Sequence, residues 1–184
     1  RKPALNRLET ALTDALTENG FVRVTTPTIM SRQHLAKMTI DEQHPLYSQV
    51  FWIGKDKCLR PMLAPHLYYL LKDLLRLWEH PVRIFEIGSC FRKETQGAKH
   101  SAEFTMLNLV EMGLPPEDRQ KRLEELTTLI METAGIENFR LHSEHSAVYG
   151  ETTDIEASSD VVQHLEVGSA AFGPHPLDKA WRIT

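Results

Sequence analysis

The sequence predicts an α+β fold, a mostly antiparallel sheet flanked by helices. Three observations carry it: three segments have apolar residues at helical spacing, two long strand candidates stand back to back across a polar loop, and the regular βαβ alternation of a Rossmann unit is missing. No GxGxxG or GxxxxGK[ST] loop is present, so any nucleotide bound here is held by something other than a glycine-rich cradle.

The 184 residues, 41% of them hydrophobic, suffice for one compact domain with a sizeable core. The net charge of −4 argues against a protein that coats nucleic acid non-specifically, because such binding neutralises many phosphates with Lys and Arg. Cys58 and Cys90 stand far apart in apolar, strand-like surroundings, with no CxxC pair, and read as buried structural thiols. No secretory signal opens the chain and no apolar stretch approaches the ~20 residues that span a bilayer, which makes the cytoplasm the expected compartment.

The first helix is expected from Pro3 to Glu18, where Leu5, Leu8, Leu12 and Leu16 recur at helical spacing and Gly20 follows the end. Phe21–Thr25 reads as a short strand, broken by Pro27 before a mixed segment from Thr28 to Leu46. Val50–Ile53 and Lys57–Arg60 flank Gly54-Lys55-Asp56 as a hairpin would. A second helix carries Leu67, Leu70, Leu71, Leu74, Leu75 and Trp78 and stops before Pro81. Val82–Lys93 and Glu103–Met112 form an antiparallel pair around the polar loop Glu94–Ala102. Pro115-Pro116-Glu117-Asp118 starts a third helix, carried by Leu123, Leu126, Leu129, Ile130 and Ala134 to Gly135. Phe139–His142, Ala147–Tyr149 and Leu165–Phe172 read as strands, and Glu151–Asp160, rich in Thr, Ser and acid, reads as disordered.

With period-2 alternation, Ile84, Glu86, Cys90 and Arg92 share one side of the first long strand, and Phe104, Met106, Asn108, Val110 and Met112 share a face of the second. An arginine anchored on a sheet offers a planar fork matched to phosphate or carboxylate oxygens. Asn108, between Leu107 and Leu109, needs a partner to offset its burial, which makes it a candidate to face a ligand. Ala64, Leu67, Tyr68 and Leu71 lie on one helical face, either a pocket wall or ordinary core.

Phe85 to Glu94, with Phe91-Arg92-Lys93-Glu94 at its core, and the returning string Glu103-Phe104-Thr105-Met106-Leu107-Asn108 resemble the second signature motif of the class II aminoacyl-tRNA synthetases. The longer strings Cys58-Leu59-Arg60-Pro61-Met62-Leu63-Ala64-Pro65, Leu67-Tyr68, Ile84-Phe85-Glu86-Ile87-Gly88 and Val148-Tyr149-Gly150 are similar, in order and approximate spacing, to the pyrrolysyl branch of that family. The resemblance covers nearly the whole chain and is firmest from Val50 to Gly150.

The resemblance implies a class II synthetase fold and ligation of pyrrolysine, or a related lysine derivative, to tRNA(Pyl) through an aminoacyl-adenylate, with ATP and Mg²⁺. It makes Arg92 the catalytic residue that grips the α-phosphate. Glu94, His100 and Phe104 become further ATP contacts, and Glu166 and Ser169, in a string resembling LELSS, contacts to the magnesium and its ATP. The amino-acid pocket would be formed by Ala64, Leu67, Tyr68, Leu71, Asn108 as gatekeeper, Val110 and the covering Tyr149. It also implies a homodimer built on the first helix and the Pro27 segment, and a tRNA-binding domain that is either fused at the N-terminus or a separate protein.

The chain departs from the pattern in three places. The sequence reaches Trp181-Arg182-Ile183-Thr184 without the glycine-rich third motif, so the expected catalytic domain spanning 1–184 is incomplete at its C-terminal end. Thr153–Gln163 fits poorly, and His66 stands where the family commonly has Asn. Two alternatives stay open: another class II synthetase, and a non-catalytic synthetase-like module that binds tRNA or a partner.

Overall fold

A computed structural model of the chain describes residues 3–93, 101–146, 149–158 and 165–183. Along it run α1 (Ala4–Glu18), β1 (Val22–Arg23), β2 (Ile29–Ser31), α2 (Arg32–Lys37), β3 (Lys57–Leu59), α3 (Ala64–Leu77), β4 (Val82–Phe91) and β5 (Glu103–Met112). There follow α4 (Arg119–Thr133), β6 (Phe139–Ser146), β7 (Gly150–Ala157), β8 (Leu165–Ala170) and α5 (Asp178–Trp181). The chain divides into two compact units, one of Arg1–Phe21 with Leu114–Pro176 and one of Val22–Gly113 with Leu177–Thr184.

The first unit pairs α1 with α4. α1 buries Leu12 and Leu16, four residues apart on one face, and α4 buries Leu123, Leu126 and Met131. Gly20 ends α1 with φ +81°, donating to Thr17 O at 3.0 Å while Phe21 N donates back to Leu16 O at 3.0 Å, the left-handed closure that glycine adopts without steric cost. The same unit holds an antiparallel sheet of order β6-β7-β8. The expected disorder over Glu151–Asp160 is corrected here, because Gly150–Ala157 is the central strand of that sheet. Thr152, Thr153 and Ile155 are β-branched and suit a strand, and the acids find partners across it, Glu156 on Arg140 and Glu151 on His145. β6 runs four residues beyond the expected His142, and Tyr149 lies in a turn rather than a strand.

The second unit is built on β4, flanked by β1 in parallel (Val22↔Ile84) and by β5 in antiparallel over its full length. β2 and β3 form a separate antiparallel pair. The hairpin expected around Gly54-Lys55-Asp56 is closed by a Trp52↔Cys58 bridge and by Ile53 N to Lys57 O at 3.0 Å. The sequence reading missed the short α2, whose cap is Ser31 Oγ accepting from His34 N, and α5. Met30, Leu35, Ile40, Val50, Leu63, Leu67, Leu71, Ile84 and Phe85 make the core, each no more than 1% exposed. Cys58 and Cys90 are both fully buried free thiols, and burial pushes each up to about 11, as expected of structural rather than reactive cysteines.

Candidate functional site

The β4–β5 register decides where the candidate residues point. Directly paired residues of an antiparallel ladder project to the same side, and Ile84↔Val110, Glu86↔Asn108 and Cys90↔Phe104 are such pairs. The two faces read separately from the sequence are therefore one face of the sheet. Arg92 extends the ladder past the end of β4, its backbone N donating to Ala102 O at 3.0 Å, and its guanidinium lies 5.1 Å from the Phe104 ring centroid on that same face. Its Nε donates to Pro61 O at 3.0 Å. Arg92, Phe104, Asn108 and Val110 are thus brought together.

Asn108 is half-buried, and its side-chain amide makes no hydrogen bond among the described residues. An amide in that position retains its full donor and acceptor capacity for a ligand. From Phe104 to Asn108 is four strand residues, roughly 13 Å at the usual rise of an antiparallel strand.

α3 contacts β4 and supplies Ala64, Leu67, Tyr68 and Leu71, all at most 8% exposed. Leu67 and Leu71 pack as core, and Tyr68 stacks on Trp181 at 5.6 Å and 17°. Neighbouring His66 is also buried, meeting His34 edge-on at 5.4 Å. Burial, with His34 and Arg60 nearby, holds its imidazole down at about 4, against the opposing pull of Glu86 and a hydrogen bond to the Pro27 backbone. The Nδ1 atoms of His34 and His66 and Trp181 Nε1 are buried without hydrogen-bond partners among the described residues.

Along β4, on this same face, lies a network that sequence reasoning missed. Arg60 Nη1 meets Glu86 Oε1 at 2.7 Å, with side chains 5% and 2% exposed. Thr26 completes it: its N and Oγ1 donate to Glu86 Oε1 and Oε2 at 3.1 and 2.6 Å, and its Oγ1 accepts from Arg60 Nη1 at 3.0 Å. A charge on each of two apolar strings, LRPML and IFEIG, was the available signal, since ions so placed are rarely buried unless paired.

The remaining candidates lie in the first unit. Tyr149 is half-buried beside His175, with ring centroids 5.7 Å apart, and burial of its phenol pushes it up to about 12. Glu166 and Ser169 are three residues apart, which in a regular strand sets them on opposite faces. β8 instead pairs Glu166 with Glu156 and Ser169 with Asp154, leaving an extra residue opposite the Ile155/Glu156 step. This bulge turns Glu166 and Ser169 to one face. Among the described residues no three His, Cys, Asp or Glu side chains are grouped to hold a metal by themselves. Glu94 and His100 lie outside the described residues.

Comparison with known proteins bears on the fold and the family. A crystal structure of pyrrolysyl-tRNA synthetase from Desulfitobacterium hafniense matches all of the chain at 56% identity and TM-score 0.90, over 64% of its own length. A second structure, of PylSc from the same organism, also a pyrrolysyl-tRNA synthetase, matches all of it at 54% identity and TM-score 0.87, over 61% of its length. The elongation factor P–(R)-beta-lysine ligase of Proteus mirabilis is 30% identical over 122 residues, 65% of this chain and 34% of that protein. The chain therefore spans about a third of that curated relative and less than two thirds of either solved structure. The family described as the tRNA synthetases class II core domain (F) matches residues 1–172, and the chain belongs to that family.

Proposed function

We propose that this chain carries the amino-acid-activating site of a pyrrolysine–tRNA ligase, in which Arg92 grips the α-phosphate of ATP and Asn108 reads the far end of the substrate side chain. The observation that carries the reading is the single sheet face holding both, with the guanidinium over Phe104 and the Asn108 amide, unpaired among the described residues, roughly 13 Å further along. That spacing suits a carboxylate activated at one end and a long side chain terminating in a hydrogen-bonding group at the other. The overall likeness to two pyrrolysyl-tRNA synthetases supports it.

In the activating step a carboxylate oxygen of the amino acid attacks the α-phosphorus, the bond to the β-phosphate breaks, and pyrophosphate leaves with the electron pair. Negative charge concentrates where a guanidinium held through Nε by Pro61 O is already oriented, so no reorganisation is needed as it develops. Specificity rests on the Asn108 amide, because a substrate without a partner for it leaves a polar group unpaired. Ala64 and Tyr68 line the apolar side, backed by the fully buried Leu67 and Leu71, and Val110 flanks Asn108. A magnesium ion accompanying the nucleotide would supply charge neutralisation of the phosphates, and Glu166 and Ser169 would be the residues to hold it. Glu166 and Ser169, turned to one face by the bulge, are oxygen donors of the kind it accepts. A hydroxyl of the terminal ribose of tRNA(Pyl) then attacks the carbonyl carbon of the adenylate, the bond to the phosphate breaks and AMP leaves, and the active species is a homodimer.

The test is pyrrolysine-stimulated ATP–pyrophosphate exchange by the full-length protein. Arg92→Ala is expected to lower it about a hundredfold or more. Exchange unchanged in that variant sinks the mechanism.

A further inference from the structure

Resting on the activating site proposed above, we infer that Arg60 is the positioning residue for Arg92. Arg60 donates through Nε to Ser89 O at 2.7 Å, and its own carbonyl accepts from Phe91 N at 2.9 Å. The next residue, Pro61, supplies the carbonyl that takes Arg92 Nε at 3.0 Å. The Arg60-Pro61 segment is thus fastened to the end of β4 at three successive points, the last being the reactive arginine itself. A shift of that carbonyl would carry the guanidinium with it through Nε.

What fixes that carbonyl is the buried side of Arg60. Nη1 is held by Glu86 Oε1, Thr26 O and Thr26 Oγ1 at 2.7, 3.1 and 3.0 Å. The geometry leaves no slack. A Cβ built on Gly88 would fall well inside van der Waals contact with Arg60 Nη2, so the absence of a side chain at Gly88 is what admits the guanidinium to the sheet surface. Side-chain entropy lost to the buried network is recovered as pre-organisation of a group about 30 positions away in sequence, which is how a supporting shell commonly acts. Arg60 touches neither substrate in this scheme. Its effect passes through Arg92.

Three substitutions test this in the full-length protein, by calorimetric ATP binding and by pyrrolysine-dependent ATP–pyrophosphate exchange well below each melting transition. Arg60→Lys keeps the charge but loses the fork, Gly88→Ala displaces the fork without altering its chemistry, and Thr26→Val removes a single hydroxyl. Arg60→Lys and Gly88→Ala are expected to lower kcat/KM for ATP at least tenfold while KM for the amino acid stays within about twofold, with Thr26→Val intermediate. Placed on Arg92→Ala, they should cause no further loss, since the group they position is gone. Should Arg60→Lys fail to fold, Gly88→Ala and Thr26→Val carry the test. A folded variant with unaltered ATP parameters, or a further tenfold loss on top of Arg92→Ala, overturns the positioning role alone. Absence of both ATP binding and exchange in the unaltered protein overturns the activating site and this inference with it.

Discussion

The two long sheets of this molecule solve the problem of charge in opposite ways. β4 has no exposed position and carries Glu86 at 1% exposure, committed to Arg60 and Thr26. In the β6-β7-β8 sheet the charges sit in the open: Arg140 pairs with Glu156 at 2.6 Å across β6 and β7 with its side chain 58% exposed, and His145 meets Glu151 with both more than 70% exposed. The first arrangement pins a backbone and everything fastened to it. The second keeps a polar strand soluble and in register at little energetic consequence.

The sharpest way to break that contrast is to remove one partner from each sheet. Glu86→Ala leaves Arg60 as an uncompensated buried cation, and a loss of about 3–5 kcal/mol in denaturant-measured stability is expected. A loss below about 1 kcal/mol would mean that water reaches the pair and that the two sheets do not differ in kind.

Acid separates the units next. His66 in the second unit is depressed to about 4, whereas the unfolded chain protonates near the ordinary value of about 6.5. Above about 6.5 both states are neutral and the stability is fully present. As pH falls the unfolded state takes up the proton first, and up to about 3 kcal/mol is lost by about pH 4. His34, lowered by burial and by Lys37, acts in the same direction. Melting temperatures at pH 5 and pH 7.5 should draw together in His66→Asn, and an unchanged gap would remove His66 as the cause.

Asn108→Ala tests whether the β4–β5 face is a reading surface rather than plain structure. Since its amide is unpaired among the described residues, stability should change little, while kcat/KM for pyrrolysine falls roughly 10- to 100-fold, the cost of one buried hydrogen bond. Equal losses in stability and activity would return Asn108 to an ordinary structural role. The smallest effect is expected from Arg140→Ala, about 0–1 kcal/mol, abolished in high salt.

Local pattern made much of this legible. α1, α3 and α4 follow from leucines at helical spacing, and β4 and β5 from long apolar runs on either side of a polar loop. β7 was not legible, because a Thr- and acid-rich run has the composition of a loop and becomes a strand only when partners on both sides take its backbone groups and its charges. Nor was the Arg60–Glu86 pair, whose members are 26 residues apart with nothing local to connect them.

By itself the sequence determined which side chains are available and at what period: the fork at Arg92, the amide at Asn108, and the apolar stripe on α3. Only the tertiary structure decided that Arg92 and Asn108 share a face, and that Glu166 and Ser169 do. Facing follows from register, a single-residue slip turns every side chain of a strand over, and register is fixed by pairing between segments far apart in the chain.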